Sequence, residues 1–298
     1  MYNFIQEDLE DNSPTDADNN FLPKKTFSPS GNRSNLTFKI GLGIVIFIFL
    51  IGILSIIWTP YNPMSSIAGA LQGPNAFHLL GTDQEGRDEL SRLMAGTWVT
   101  LYAGFIAMAV GLVFGTALGI YVGIYRNVIS EVIMRSSDVL LAFPALLIAT
   151  LLAARYGSST ATAMVAIGIA FIPYVTRVTR VAVTKVYNSD FVLAARASGL
   201  GKYYIIKKHI MPNISALVTL QATLLLSVAI LSEAGLSYLG LGTPPPSPAW
   251  GVMLSDAQNV VLTNPLLVLW PTLAITITIL GFNLLADGIL AKADKRNR

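Results

Sequence analysis

DFVLAARASGLGKYYIIKKHIMPN, residues 190–213, is a polar island bearing Lys and Arg between two apolar runs of membrane-crossing length. Read locally, it predicts two short helices joined by a turn. Asn188, Ser189 and Asp190 offer a helix start, because their side-chain oxygens can accept from the free N–H groups of a first turn. Phe191, Ala194, Ala195 and Ser198 follow at i, i+3, i+4 and i+7 and so share one face. A face built mostly of small residues lets another protein's backbone come close. Gly199 and Gly201 supply the turn, Lys202, Lys207 and Lys208 keep the second arm wet, and Pro212 ends it.

The surroundings of this island set the class. The chain of 298 residues is 53% hydrophobic and 12% charged, far below the charge of an ordinary soluble domain. Ile40 to Trp58 carries no charge and is long enough to cross the hydrocarbon core. Further runs of this kind lie at Ala95–Tyr125, Val139–Ala154, Ser158–Thr176, Ile214–Ser232 and Leu266–Leu285. The expected fold is therefore all-α: a polytopic membrane protein with six transmembrane helices, the third and fourth separated only by the Ala154–Gly157 turn. The first run follows 39 residues and lacks a small-residue cleavage site, so it reads as an anchor rather than a signal peptide.

The basic residues give the orientation. With the N-terminus in the cytoplasm, only Arg87, Arg92 and Arg155 of the 20 Lys and Arg fall outside, and the 177–208 loop lies inside with seven. The net charge of +3 is thus a topology signal rather than a mark of nucleic-acid binding. The expected organisation is a mobile cytoplasmic tail at 1–36, a first membrane helix with its outer loop at 37–94, a core at 95–290 that includes the 188–213 loop, and a cytoplasmic tail at 291–298. In the second span, Gly111, Gly115, Gly119 and Gly123 recur every four residues and line one helix face. Membrane helices associate largely by such close packing, so this face is expected to hold a neighbouring helix.

The spacing of the 190–213 stretch resembles the EAA loop of ABC importer permeases: paired alanines, a glycine after three residues, and a proline at the far end. Leu193 stands where that pattern carries Glu, which removes one charged contact; His209 and Met211 stand where Ile and Leu are usual. Two outer segments extend the likeness. FHLLGTDQEGRDELSRLMAGTWVTL (77–101) and SEAGLSYLGLGTPPPSPAWGVML (232–254) are similar to blocks of the C-type permease of the dipeptide, oligopeptide and nickel ABC importers. In the first, Asp88 and Arg92 are spaced as i, i+4 partners on a solvated interfacial helix. In the second, Pro244–Pro246 stop a helix and Trp250 suits the membrane interface. The likeness runs from about Lys39 to Lys292.

The resemblance implies a type I importer permease in the inner or plasma membrane. It would pair with a second, homologous permease, two cytosolic ATPases that bind ATP and Mg, and an extracytoplasmic substrate-binding protein. Asp190, Phe191, Ala194, Ala195, Arg196, Gly199, Gly201 and Pro212 would form the ATPase-docking loop. Gln221, Thr223 and Ser227, on roughly one face of the fifth span, are candidates to line the pathway or to hydrogen-bond neighbouring helices. The family carries dipeptides, longer peptides, nickel chelates or haem, and these cargoes stay open.

The chain offers no chemistry of its own. The phosphate-binding pattern G-x-x-x-x-G-K-[ST] is absent, and no nucleophile–base pair stands out. His78 and His209 have no ligand-spaced partner for a metal, so no catalytic residue, metal or cofactor is expected on this chain. Glu233, Asp138 and Asp287 sit near span ends, and the apolar runs hold no ionisable group that would relay ions in a secondary carrier. A membrane scaffold fits six helices equally well but leaves the 190–213 stretch unexplained.

Overall fold

A computed structural model describes residues 31–296, with side chains described for residues 35–292. Ten α-helices follow one another: α1 (Gly31–Ile57), α2 (Glu89–Ile124), α3 (Val128–Ala142), α4 (Ala145–Tyr156), α5 (Thr160–Tyr187), α6 (Asp190–Ala197), α7 (Lys202–Ile205), α8 (Met211–Tyr238), α9 (Trp250–Ala257) and α10 (Leu266–Arg296). Among the described residues the only β pairing is an isolated bridge between Thr82 and Asp88. In hydrocarbon a backbone must satisfy its own N–H and C=O groups, which a helix does within one segment. Local capping sets the starts. Asp88 accepts from Ser91 N at 2.8 Å, Asn127 from Ser130 N at 3.0 Å, and Ser159 from Thr162 N at 3.1 Å.

The glycine face of α2 seats α5. A Cβ added at Gly111, Gly115, Gly119 or Gly123 would lie 2.6, 2.5, 2.5 or 2.7 Å from Phe171, Val175, Thr179 or Val183 of α5. Each glycine is thus a notch that receives one α5 side chain, and Gly168 of α5 receives Val110 in return. The matched numbers rise together along both helices, so α2 and α5 run parallel and the chain must return between them. By the same reasoning α1 and α10 are antiparallel: Gly288 sits on Phe38, Gly281 on Ile44 and Gly41 on Leu285.

The return is not the single straight helix expected at Val139–Ala154. It is the pair α3 and α4, bent by 88° between Ala142 and Ala145. Pro144 is the cause: it disfavours the helical conformation at the preceding residue, and Phe143 is extended at φ −92°, ψ 129°. Among the described residues five helices are long and apolar enough to cross a membrane alone, and the bent pair, counted as one span, gives six. Several helices also overrun their expected spans. The 202–238 helix is continuous, α5 continues to Tyr187, and α10 reaches Arg296 without a break at the expected 291 boundary. Helix α1 begins at Gly31, inside the expected 1–36 tail; residues 1–30 of that tail lie outside the described residues.

Candidate functional site

Two places concentrate features beyond lipid-facing helix, one at each end of the bundle. At the end shared by the start of α1 and the end of α10, α5 passes into an elbow made by α6 and α7. Asn188 closes α5, its N–H donating to Thr184 O at 3.3 Å. Ser189 precedes α6 without capping it by its side chain; the hydroxyl donates to Val186 O at 2.6 Å instead. Asp190 is exposed in the first turn, where a carboxylate suits the helix dipole.

Helix α6 turns one narrow face toward the rest of the chain. Val192 and Ala195, three apart, turn inward, and Val192 packs with Val183, Ile205, Ile210 and Ile214. Phe191, Ala194, Arg196 and Ser198 stay exposed. Val192 and Ala195 share the inward face, and the larger Val192 side chain supplies most of its buried apolar surface. The outward face of the elbow is consequently apolar at Phe191, Leu193, Leu200, Tyr203 and Tyr204. Around it Arg196 lies 4.8 Å over the Tyr187 ring and Lys202 lies 4.6 Å over Tyr125.

Of the two turn glycines only Gly199 has a conformation that calls for glycine. Its φ is +80°, its N–H donates to Arg196 O at 3.0 Å, and Leu200 N–H donates to Ala195 O at 3.2 Å. Gly201 has φ −66°, open to other residues. Pro212 does not end the second arm. The helix passes through a π turn at Ile206–Ile210, where Met211 N–H reaches back to Ile206 O, and the missing N–H of Pro212 falls in the first turn of α8.

At the opposite end the segment 59–88, α9 and the outer ends of α2, α5 and α8 form a polar cap. Asp88 and Arg92 are not partners. Asp88 caps α2 and contacts His78 Nδ1 at 2.9 Å. Arg92, 1% exposed, pairs with Asp83 at 3.4 Å and Asp256 at 3.1 Å. Arg87 joins Asp83 at 2.6 Å, Glu85 at 2.5 Å and Asp256 at 3.3 Å, and Gln84 donates to Asp256 O. The expected solvated helix face is buried because α9 folds over it. Trp250 is 1% exposed, its Nε1 donates to Leu93 O at 3.1 Å, and its ring rests on Gly96. Burial pushes the Asp256 carboxyl above its usual range, against the pull of Arg92 and Arg87.

Glu233, placed near a span end by the sequence, is fully buried. Its carboxyl accepts from Ser237 at 2.6 Å, Thr243 at 3.1 Å and Thr100 at 3.4 Å, and Thr243 Oγ1 meets Thr160 Oγ1 at 2.9 Å. One side chain thereby ties α2, α5, α8 and the proline loop. Gln221, Thr223 and Ser227 are buried against the rest of the chain. Thr223 and Ser227 donate to Thr219 O (3.0 Å) and Thr223 O (3.4 Å) of their own helix, and Gln221 Oε1 has no partner. They neither bond neighbouring helices nor face open space within this chain.

The model of the family described as "Binding-protein-dependent transport system inner membrane component" matches residues 115–298, from the Gly115 notch through the elbow and α9 to the end of the chain. The chain belongs to that family. Relatives of this inner membrane component match it over three quarters or more of its length. The dipeptide transport system permease protein DppC of Alkalihalophilus pseudofirmus is 38% identical, over 89% of this chain and 87% of the relative. That of Escherichia coli strain K12 is 40% identical, over 86% and 88%. The glutathione transport system permease protein GsiD of Pectobacterium atrosepticum is 37% identical, over 76% and 75%. An all-α, multi-pass transport permease follows.

Sequence reading missed Asp256 and Glu233 as joints between segments. The signal was present: Asp256 is the single charged residue between Glu233 and Asp287, and an acid so isolated beside apolar runs needs a buried partner. Its partners lie more than 160 positions away, beyond any local periodicity.

Proposed function

We propose that this inner membrane component is one of two permease subunits of an ATP-driven peptide importer. The elbow at 188–213 would dock it to a cytosolic ATPase. The observation that carries the reading is the elbow's outward surface, apolar at Phe191, Leu193, Leu200 and Tyr203 and rimmed by Lys202, Lys207 and Lys208. Such a surface is characteristic of a protein interface. Lys and Arg cluster at this end, which supports a cytoplasmic position for the elbow, the start of α1 and the end of α10. Likeness to dipeptide and glutathione permeases supports peptide as the cargo. A second permease completes the pathway, an extracytoplasmic binding protein delivers the substrate, and ATP and Mg belong to the ATPases.

Gly199→Val tests the docking role. Nothing lies within 4 Å of an added Cβ, so the substitution acts through the left-handed backbone alone, which costs a branched residue roughly 1–2 kcal/mol. Labelled-dipeptide uptake and substrate-stimulated ATP hydrolysis should fall at least tenfold with the subunit still present in the membrane. Normal uptake in that variant refutes docking through this elbow, and uptake of nickel chelate in place of dipeptide by the unmodified complex refutes the cargo.

A further inference from the structure

From Ile40 to Thr82 the chain contains no Asp, Glu, Lys or Arg, although α1 ends at Ile57. The stretch 58–82 is thus an outer segment without formal charge, whereas ordinary soluble chains are roughly one quarter charged. It does not fold its apolar residues inward. Trp58 is 56% exposed, Met64 51%, Ile67 44%, Phe77 78% and Leu79 62%.

The backbone beneath them is nevertheless pinned. Ile67 and Ala68 N–H donate to Gly86 O, Leu71 N–H donates to Asp83 O, and Thr82 Oγ1 donates to Gly69 O at 2.7 Å. The charged cap therefore anchors the segment and leaves its apolar side chains outside. Trp58, Pro60 and Tyr61, just past the end of α1, line an open cleft of about 320 Å³ with Ala76, Phe77, Leu79 and Leu90; Asp88 also borders it, 1% exposed and held by His78 and Ser91. This surface continues directly from α1, where Leu50 is 61% and Ile57 82% exposed in a membrane-crossing helix.

We propose that segment 58–79 is a lipid-contacting platform, lying in the interfacial layer of the outer leaflet with acyl-chain surface in the Trp58–Phe77 cleft. Trp and Tyr favour that layer, and an uncharged apolar surface joined to a span face is more stable against lipid than against water. A soluble partner that docks and departs would favour a charged rim; this segment has no charged residue, and its exposed polar groups, Asn62, Ser66, Gln72 and Asn75, are uncharged and suit the interfacial layer.

The inference rests on the membrane reading of α1, and one control separates the two. The chain has no cysteine, so Phe77→Cys, Leu79→Cys, Leu50→Cys and Glu85→Cys can each carry one nitroxide in the assembled complex in lipid nanodiscs. Collision rates with oxygen and with a water-soluble nickel chelate report lipid or water around each label. Positions 77 and 79 should favour oxygen several-fold over Glu85→Cys and approach Leu50→Cys. Water-like values at 77 and 79 with a lipid-like value at 50 overturn the platform alone; water-like values at all three overturn the membrane reading of α1 as well. Water-like values that become shielded on adding the binding protein assign the surface to that protein and also overturn the proposal. Photo-crosslinking of the unmodified complex with a diazirine-tailed lipid provides the second measurement: label should map to 58–79, and its absence there counts against the platform.

Discussion

Replacing Gly115 by leucine should separate α2 from α5. The first added carbon alone would stand 2.5 Å from Val175 Cβ, 2.8 Å from its Cγ1 and 3.0 Å from Ile172 O, where ordinary contacts begin at 3.4 Å. The neighbour would have to retreat by roughly 1 Å before the rest of the side chain is placed. Val175 is β-branched and stiff in a helix, and a backbone carbonyl cannot rotate away, so the helices themselves must part. Overpacking of this kind commonly costs about 1–3 kcal/mol, and lipid supplies no hydrophobic drive to close the gap again. Gly119→Leu, with Thr179 Cβ at 2.5 Å and Thr176 O at 2.9 Å, should behave alike. Yield of assembled complex and its thermal midpoint in detergent measure the effect, with Val113→Leu as a control on an exposed position of the same helix. Gly235→Ala, with nothing within 4 Å, should leave the midpoint unchanged or slightly raised. If both leucine variants match Val113→Leu in yield and midpoint, the notch account of α2 and α5 is wrong.

Asp256→Ala should lower the thermal midpoint of the complex by the equivalent of about 3 kcal/mol, because Arg92 and Arg87 then keep buried charge with one partner fewer; an unchanged midpoint would show the cap to be incidental. Trp250→Phe retains most of the packing on Gly96 and removes one of two side-chain donors to Leu93 O, which keeps Thr97 Oγ1 at 3.0 Å, so a smaller loss of roughly 0.5–1 kcal/mol is expected by the same measurement. Single cysteines at the exposed positions Glu85 and Lys202 should react with a membrane-impermeant maleimide from opposite faces of sealed vesicles, and reaction from the same face would remove the six-crossing topology.

The all-α membrane class was legible because hydrocarbon imposes one rule on every span, and Ile40–Trp58 or Leu266–Leu285 obeys it without reference to any neighbour. The α2 glycines could be read as a packing face from their period, but their partners Phe171, Val175, Thr179 and Val183 repeat a pattern that only a neighbour makes meaningful. The third crossing was misread because hydropathy ignores Pro144, whose geometric effect outweighs the apolar run around it. In the elbow, spacing puts Phe191, Ala194, Ala195 and Ser198 on one face, but only packing shows that Val192 and Ala195 turn inward while Phe191, Ala194 and Ser198 stay exposed. Asp88 and Arg92 illustrate the same limit: four positions apart they are natural partners on an isolated helix, yet folding α9 across them gives Arg92 a better carboxylate from 164 positions away.

The helix from Lys202 to Tyr238 runs 37 residues through its π turn without a break, roughly 55 Å at 1.5 Å per residue. Its first turns belong to the elbow and its last hold Glu233 beneath the cap, so the two ends of the molecule are two ends of one lever. The parallel α2–α5 pair, seated notch by notch, is the stiff post beside it. A tilt of about 10° about the middle of such a rod would carry each tip by roughly 5 Å, comparable to one helical turn. The π turn, with its looser hydrogen bonding, interrupts the α-helical pattern near the elbow, so a push delivered at the elbow would meet the softest point of that rod first.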